Sequence, residues 1–185
     1  MSSPFFDTGA LPLHESFRGL EELRSARFNP RREVLLVDTT SDAPDADLIE
    51  FLTSVAPSEG HAADPVELAR AVANRMGGSV LFSDLTTYST SLSVSELKLE
   101  AGSNVIHLGK VRTGTYYHRA LLFKVAADHL RIPSVLLRSE YGRAYNVVYA
   151  PKAMVVDVMH EPGQMFPIQD LEQLAIPGNF FEFHR

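Results

Sequence analysis

"GTYYHRALLFKVAADHLRIPS" (residues 114–134) decides how this chain is read. Lys124, Asp128 and Arg131 recur at i, i+4 and i+7, which places the polar residues on one narrow stripe of a helix. Ala120, Leu121, Leu122, Phe123, Val125, Ala126, Ala127 and Leu130 fill the rest of the circumference. A helix apolar on most sides belongs inside a domain, so the spacing predicts an enclosed helix from Thr115 to about Leu130. Its first turn carries Tyr116, Tyr117 and His118, the end at which a buried helix could offer a reactive group. Ile132-Pro133 ends the helix and starts extended chain.

Downstream of that stop, Ser134–Arg138, Arg143–Tyr149 and Ala153–Met159 read as strands. Their connections are short ("SEYG" and "APK"), which requires antiparallel neighbours. The expected fold is therefore α+β, a central buried helix packed on a small antiparallel sheet. Upstream, a short helix is expected from His14 to about Arg27, closed by Asn29-Pro30, then a strand over Glu33–Thr40. A helix over Asp47–Val55 follows. The next helix is the best punctuated: Asp64 caps it, Pro65 suits the first position and Glu67 the third. Leu68, Val72 and Met76 line its inner face, and Gly77-Gly78 ends it. That glycine pair follows a helix and lacks a Lys-Ser/Thr step, so it is no phosphate loop. "SVSELKLE" (Ser93 to Glu100) alternates enough to be taken as a strand. The whole divides as an extension over 1–30, a domain over 31–170 and a tail over 171–185.

Composition removes several function classes. With no cysteine, the chain has no disulfide, thiolate metal site or cysteine nucleophile, and it fits an intracellular, cytoplasmic setting. No long apolar run crosses a membrane. A net charge of −6 argues against a general nucleic-acid binder. Residues 1–100 hold 16 acids and 8 bases, and residues 101–185 hold 7 acids and 9 bases. The mildly basic second half, Arg119, Arg138 and Arg143 included, is expected to form a solvated face. Asp157 with His160 offers two metal-ligand types but no third, so neither metal nor cofactor is expected.

A central helix leading through Ile-Pro into an antiparallel meander resembles the transglutaminase-like branch of the papain-like cysteine peptidases. More closely, "LARAVANRMGG", "SELKLEAGSNVIHLG", "GTYYHRALLFKVAADHL", "LLRSEYGRAYNVV" and "VVDVMHEPG" together resemble the EDR-type domain. That domain closes an armadillo-repeat protein of cilia and sperm flagella and, in a more distant version, lies in the plant CTR and EDR kinases. The resemblance covers about Asp64 to Phe166. It implies a papain-like fold with a Cys, a His and an Asp as catalytic positions. Counting from Ala120 and Ile132-Pro133, the nucleophile position falls on Tyr116. The His position falls on Arg143, where Arg143-Ala144-Tyr145 replaces a His-Ala-Trp step, and the Asp is Asp157. If "APK" is a three-residue hairpin loop, Tyr149 faces Ala153 and Tyr145 faces Asp157. Arg143 and Asp157 then sit diagonally on one face, about 7–8 Å apart at the backbone, and are expected to form an ion pair.

An arginine does not shuttle protons near neutral pH, and a phenol is a poor nucleophile there. The resemblance thus implies a degenerate triad and no enzyme. The expected role is a protein–protein interaction or structural subunit of a ciliary or flagellar axonemal complex. Two other readings stand beside it: a regulatory module whose old groove binds a peptide tail, and a hydrolase with non-cysteine chemistry. His118 is expected to pack or hydrogen-bond locally. Phe5, Phe6, Phe180, Phe181 and Phe183 lie in end segments too polar and short to build a core. They are the candidate anchors to partner proteins.

Overall fold

A computed structural model of the chain describes residues 4–7, 19–29, 33–84, 90–138, 143–149 and 151–169. The tail from 170 on, with Phe180, Phe181 and Phe183, and the expected helix start at His14 lie outside the described residues. Among the described residues the protein is a mixed α+β structure with two small sheets. The first joins β1 (Phe5–Asp7), β2 (Val34–Val37) and β3 (Val105–His107) in the order β1-β2-β3. β1 pairs antiparallel and β3 parallel to β2. The second is wholly antiparallel, in the order β4 (Ser134–Arg138), β5 (Ala144–Tyr149), β6 (Ala153–Val156), β7 (Met165–Pro167).

The described residues also form five α-helices: α1 (Leu20–Ser25), α2 (Ala46–Ser54), α3 (Pro65–Arg75), α4 (Thr90–Ala101) and α5 (Tyr116–His129). α5 is the central element that its sequence predicts. Leu121, Leu122, Phe123, Ala126 and Ala127 are all buried, packed between α3 on one side and β4 and β5 on the other. The caps read from sequence are present. Asp64 accepts from the Val66 N–H at 2.9 Å, and Pro65 is the first residue of α3. Gly77 and Gly78 both take φ near +90° (92° and 83°), a region closed to most side chains, so the chain can reverse directly after α3. Asp45 caps α2 through Leu48 N–H (3.1 Å) and with its second oxygen takes Gly109 N–H (2.7 Å), fixing α2 to the loop after β3.

Three expectations are corrected. "SVSELKLE" is part of helix α4, not a strand. Val94, Leu97 and Lys98 (i, i+3, i+4) form its inward face, while Leu99, which created the apparent alternation, is 68% exposed. Lys98 is 1% exposed and donates to the Asn29 carbonyl at 2.9 Å, so a buried cation occupies a core position that a hydrophobicity count passes over. The basic second half is not one solvated face either. Arg119 is fully buried, and Arg143 is buried too. Finally, the first 30 residues include a strand: β1 closes the edge of β2, and Phe6 packs with Leu20, Leu23, Val34, Leu36 and Val105 in a second small core.

Candidate functional site

The first turn of α5 presents three consecutive side chains in three directions, because successive helical residues are about 100° apart. Thr115 is the N-cap, and the His118 ring accepts its N–H (3.2 Å). The other nitrogen of His118 donates to Glu33 at 2.7 Å. His118 is therefore locally bonded, as expected, and ties α5 to the start of β2. Tyr117 donates to the Asp7 carboxylate at 2.9 Å, and the same carboxylate takes the Arg138 guanidinium. This joins β1, α5 and β4.

Tyr116, which the family resemblance implies at the nucleophile position, points to the third side. Its hydroxyl makes a short hydrogen bond to His160 Nε2. His160 Nδ1 faces the Val80 carbonyl at 2.6 Å. A carbonyl can only accept, so Nδ1 carries the hydrogen, the Nε2 lone pair faces the phenol, and the Tyr116 hydroxyl donates. Phe82 stacks on the His160 ring with centroids 3.6 Å apart. The Arg143 guanidinium lies 5.4 Å from the centre of the Tyr116 ring, a cation–π distance. Tyr145 flanks the same ring at 6.5 Å. Burial pushes the Tyr116 phenol up to about 12; Tyr145 and Asp157 add to this and Arg143 opposes it. The phenol is thus a protonated donor at neutral pH.

The structure brings Tyr116, Arg143 and Asp157 to one place, but not in the arrangement of an Arg–Asp pair. The β5–β6 register is the one the loop length predicts, with Tyr149 opposite Ala153. The ladder ends at Asn146 and Val156, however, and Asp157 turns out of it, giving its N–H to Gln164 (2.9 Å). Its carboxylate then accepts from the N–H groups of Met159 (2.6 Å), His160 (3.1 Å) and Glu161 (2.8 Å). Asp157 builds the turn that presents His160, while Arg143 covers the Tyr116 ring. Tyr116, Tyr145, Asp157 and His160 line a cavity of about 20 Å³, close to the space of one water.

Sequence reasoning missed His160 as the partner of Tyr116, and it missed Arg119. The guanidinium of Arg119 donates to the carbonyls of Gly114, Gly78 and Met76 (each 2.7 Å) and Val158 (3.1 Å). It therefore fixes the loop after α3, the loop before α5 and the chain after β6, the segments that carry Val80, Tyr116 and His160. The available signal was its place: Arg119 lies on the apolar side of α5, away from the Lys124–Asp128–Arg131 stripe. Of the expected partner anchors, Phe5 is 56% exposed and Phe6 is spent on the second core. Among the described residues no group of three or more His, Cys, Asp or Glu side chains converges on a metal position, and no helix is long and apolar enough to cross a membrane.

Known proteins share this arrangement of sequence. The chain is 41% identical over 120 residues to human armadillo repeat-containing protein 3 (57% of this chain, 14% of that protein). Two Arabidopsis thaliana proteins are also similar. The serine/threonine-protein kinase CTR1 is 30% identical over 135 residues (70% of this chain, 16% of the kinase). The probable serine/threonine-protein kinase SIS8 is 35% identical over 109 residues (55% of this chain, 10% of the kinase). The chain thus corresponds to a small part of each of these relatives. No solved structure matches it. The model of the family described as EDR1/CTR1/ARMC3, peptidase-like matches residues 7–166, which takes in Asp7 at the end of β1, all of α5 and every residue around Tyr116. This chain belongs to the EDR1/CTR1/ARMC3 peptidase-like family.

Proposed function

We propose that this chain is a non-catalytic, peptidase-like domain on a papain-like, transglutaminase-like scaffold, and that it acts as a protein–protein interaction module of a larger assembly. One observation carries the reading. At the nucleophile position stands Tyr116, whose phenol is held protonated and hydrogen-bonded to His160 in a cavity of about 20 Å³. A cysteine protease site needs a thiolate at a helix N-terminus and an imidazole to exchange its proton. Here an arginine, a side chain that does not exchange protons near neutral pH, stands in place of that imidazole, and Asp157 is occupied by three backbone donors. Among the described residues the cavity beside Tyr116 is too small to take an extended tail. An axonemal setting is the family expectation stated from the sequence; the similarity to an armadillo repeat-containing protein supports membership of an assembly.

The test has two arms. Purified chain is assayed on a panel of fluorogenic peptides and acyl-transfer substrates, with no turnover expected. Turnover abolished by Tyr116→Phe or Asp157→Asn refutes the non-catalytic reading. In ciliated cells, Phe5→Ser, and separately Phe180, Phe181 and Phe183→Ser, are expected to reduce incorporation into the axonemal fraction without lowering the melting temperature. Unchanged incorporation removes these phenylalanines as anchors; a large loss of melting temperature assigns them to the chain's own core.

A further inference from the structure

The antiparallel sheet ends on β4, and the register shows which backbone groups face outward. Tyr149 N–H donates to the Pro133 carbonyl at 3.2 Å, which makes that opposed pair a hydrogen-bonded one. Opposed pairs alternate in an antiparallel ladder, so Val135 and Leu137 also turn their N–H and C=O groups toward β5. Ser134, Leu136 and Arg138 turn theirs away from the sheet. Among the described residues no strand pairs with that side, and none of the five residues of β4 is buried. The other strand ends differ. β7 has three residues and finishes on Pro167, and β1 also has only three. Soluble proteins blunt their edges with proline, charge, bulges or brevity. β4 instead runs Ser-Val-Leu-Leu before its first charge at Arg138.

Charge sets the polarity of this edge. Ser134 opposes Val148, and Tyr149 opposes Ala153, so the β5–β6 hairpin lies beside the start of β4. That end carries the exposed Arg131, in the turn before β4, and the exposed Lys152 in the hairpin. Neither is in an ion pair among the described residues. At the far end Arg138 is bound to Asp7. The unneutralised charge at the Ser134 end is positive.

We propose that the outer edge of β4 docks an extended, acidic segment of a partner protein as a fifth strand. This deepens the interaction-module reading and rests on it. Main-chain bonds form at Ser134, Leu136 and Arg138. Alternate apolar side chains of the segment lie beside Val135, which is 39% exposed, and Leu137. A carboxylate of the segment meets Arg131, and Lys152, in the hairpin two strands in, adds positive potential at the same end, which sets orientation and disfavours basic partners.

The test titrates the isotopically labelled full chain with the capped peptide Glu-Val-Thr-Val-Glu, with the same peptide N-methylated at its three central residues, and with Lys-Val-Thr-Val-Lys. Amide hydrogen exchange is read residue by residue. With the acidic peptide, exchange at Leu136 is expected to slow about tenfold, while Val135 and Leu137, already bonded to β5, change little. The N-methylated peptide should have no effect, and the basic one should bind about tenfold more weakly. The double variant Arg131→Asn/Lys152→Glu, with Asn chosen because it tolerates the positive φ at 131, should reverse that preference. No slowing at Leu136, slowing at β7 in its place, or equal binding of acidic and basic peptides overturns the proposal. A peptide that is bound at β4 and then cleaved leaves the docking edge standing and refutes the non-catalytic reading; absence of binding refutes the edge alone.

Discussion

Replacing Arg119 by methionine tests how the site is held. Methionine keeps a flexible stem of similar reach and removes the guanidinium, which donates to four carbonyls at 2.7, 2.7, 2.7 and 3.1 Å. Hydrogen bonds to a charged group contribute about 1.5–3 kcal/mol each. Their simple sum overstates the loss, because the substitution also recovers a desolvation cost of several kcal/mol for the buried cation. The carbonyls, unlike a partner side chain, cannot be replaced along with it. The four stay in the interior without this donor, so the variant behaves like a buried ionic contact broken on one side, with a net loss of about 3–5 kcal/mol. In urea, where unfolding free energy falls by about 1–3 kcal/mol per molar, the midpoint should drop by at least about 1 M at unchanged slope. The exposed control Arg131→Met should move it little. Amides at 78–80 and 158–160 should exchange faster in the variant, since the bonds to Gly78 and Val158 anchor those segments. A midpoint within about 0.3 M of the parent would refute the claim that Arg119 holds these segments together.

Asp47 contacts Lys110 (2.8 Å) and Arg112 (2.6 Å). The hydrogen bond from Lys110 holds its carboxyl below the usual 3.8, with the two cations adding and burial opposing. Its stabilising contribution is full above pH 3.8 and fades as pH falls through the lower folded value. Asp47→Asn should therefore lower the melting temperature at pH 7, with the difference from the parent closing in acid. Tyr116→Phe should remove, from an absorbance titration of the six tyrosines, the phenol that ionises near 12. Because its folded value lies above the usual 10, Tyr116 destabilises the fold as pH rises past 10, and the variant should lose stability less steeply there. Gly114→Ala places a methyl 2.6 Å from the Met76 sulfur and 2.8 Å from His118 Cβ. Methionine can yield but the helix backbone behind His118 cannot, so a loss of about 1–3 kcal/mol is expected, read as a melting shift of about 2–4 °C per kcal/mol.

How far the sequence reaches depends on the range of the interaction. Asp64, Pro65 and Gly77-Gly78 act within one or two turns of themselves, so α3 is legible from its own residues. The same holds for α5, whose apolar circumference is a local periodicity. It holds also for β4–β6, where the "APK" loop length fixes Tyr149 opposite Ala153. The expected catalytic positions Tyr116, Arg143 and Asp157 are implied by the family resemblance, carried over along these elements. The strands β1, β3 and β7 are three residues each, too short for a period to register, and they exist because distant chain supplies their hydrogen bonds. Lys98 and Arg119 are polar by composition, and only packing decides that they lie inside, where Asn29 and four carbonyls receive them. The same is true of the hydroxyl of Tyr116. The sequence places it at a helix start, but its partner His160 is 44 residues away, and the Val80 carbonyl that orients that ring lies 80 residues from His160. The expected Arg143–Asp157 pair fails for a related reason: the register was right, but Asp157 leaves the ladder to satisfy the backbone of its own turn, a choice made by the β6–β7 reversal and not by the strand pattern.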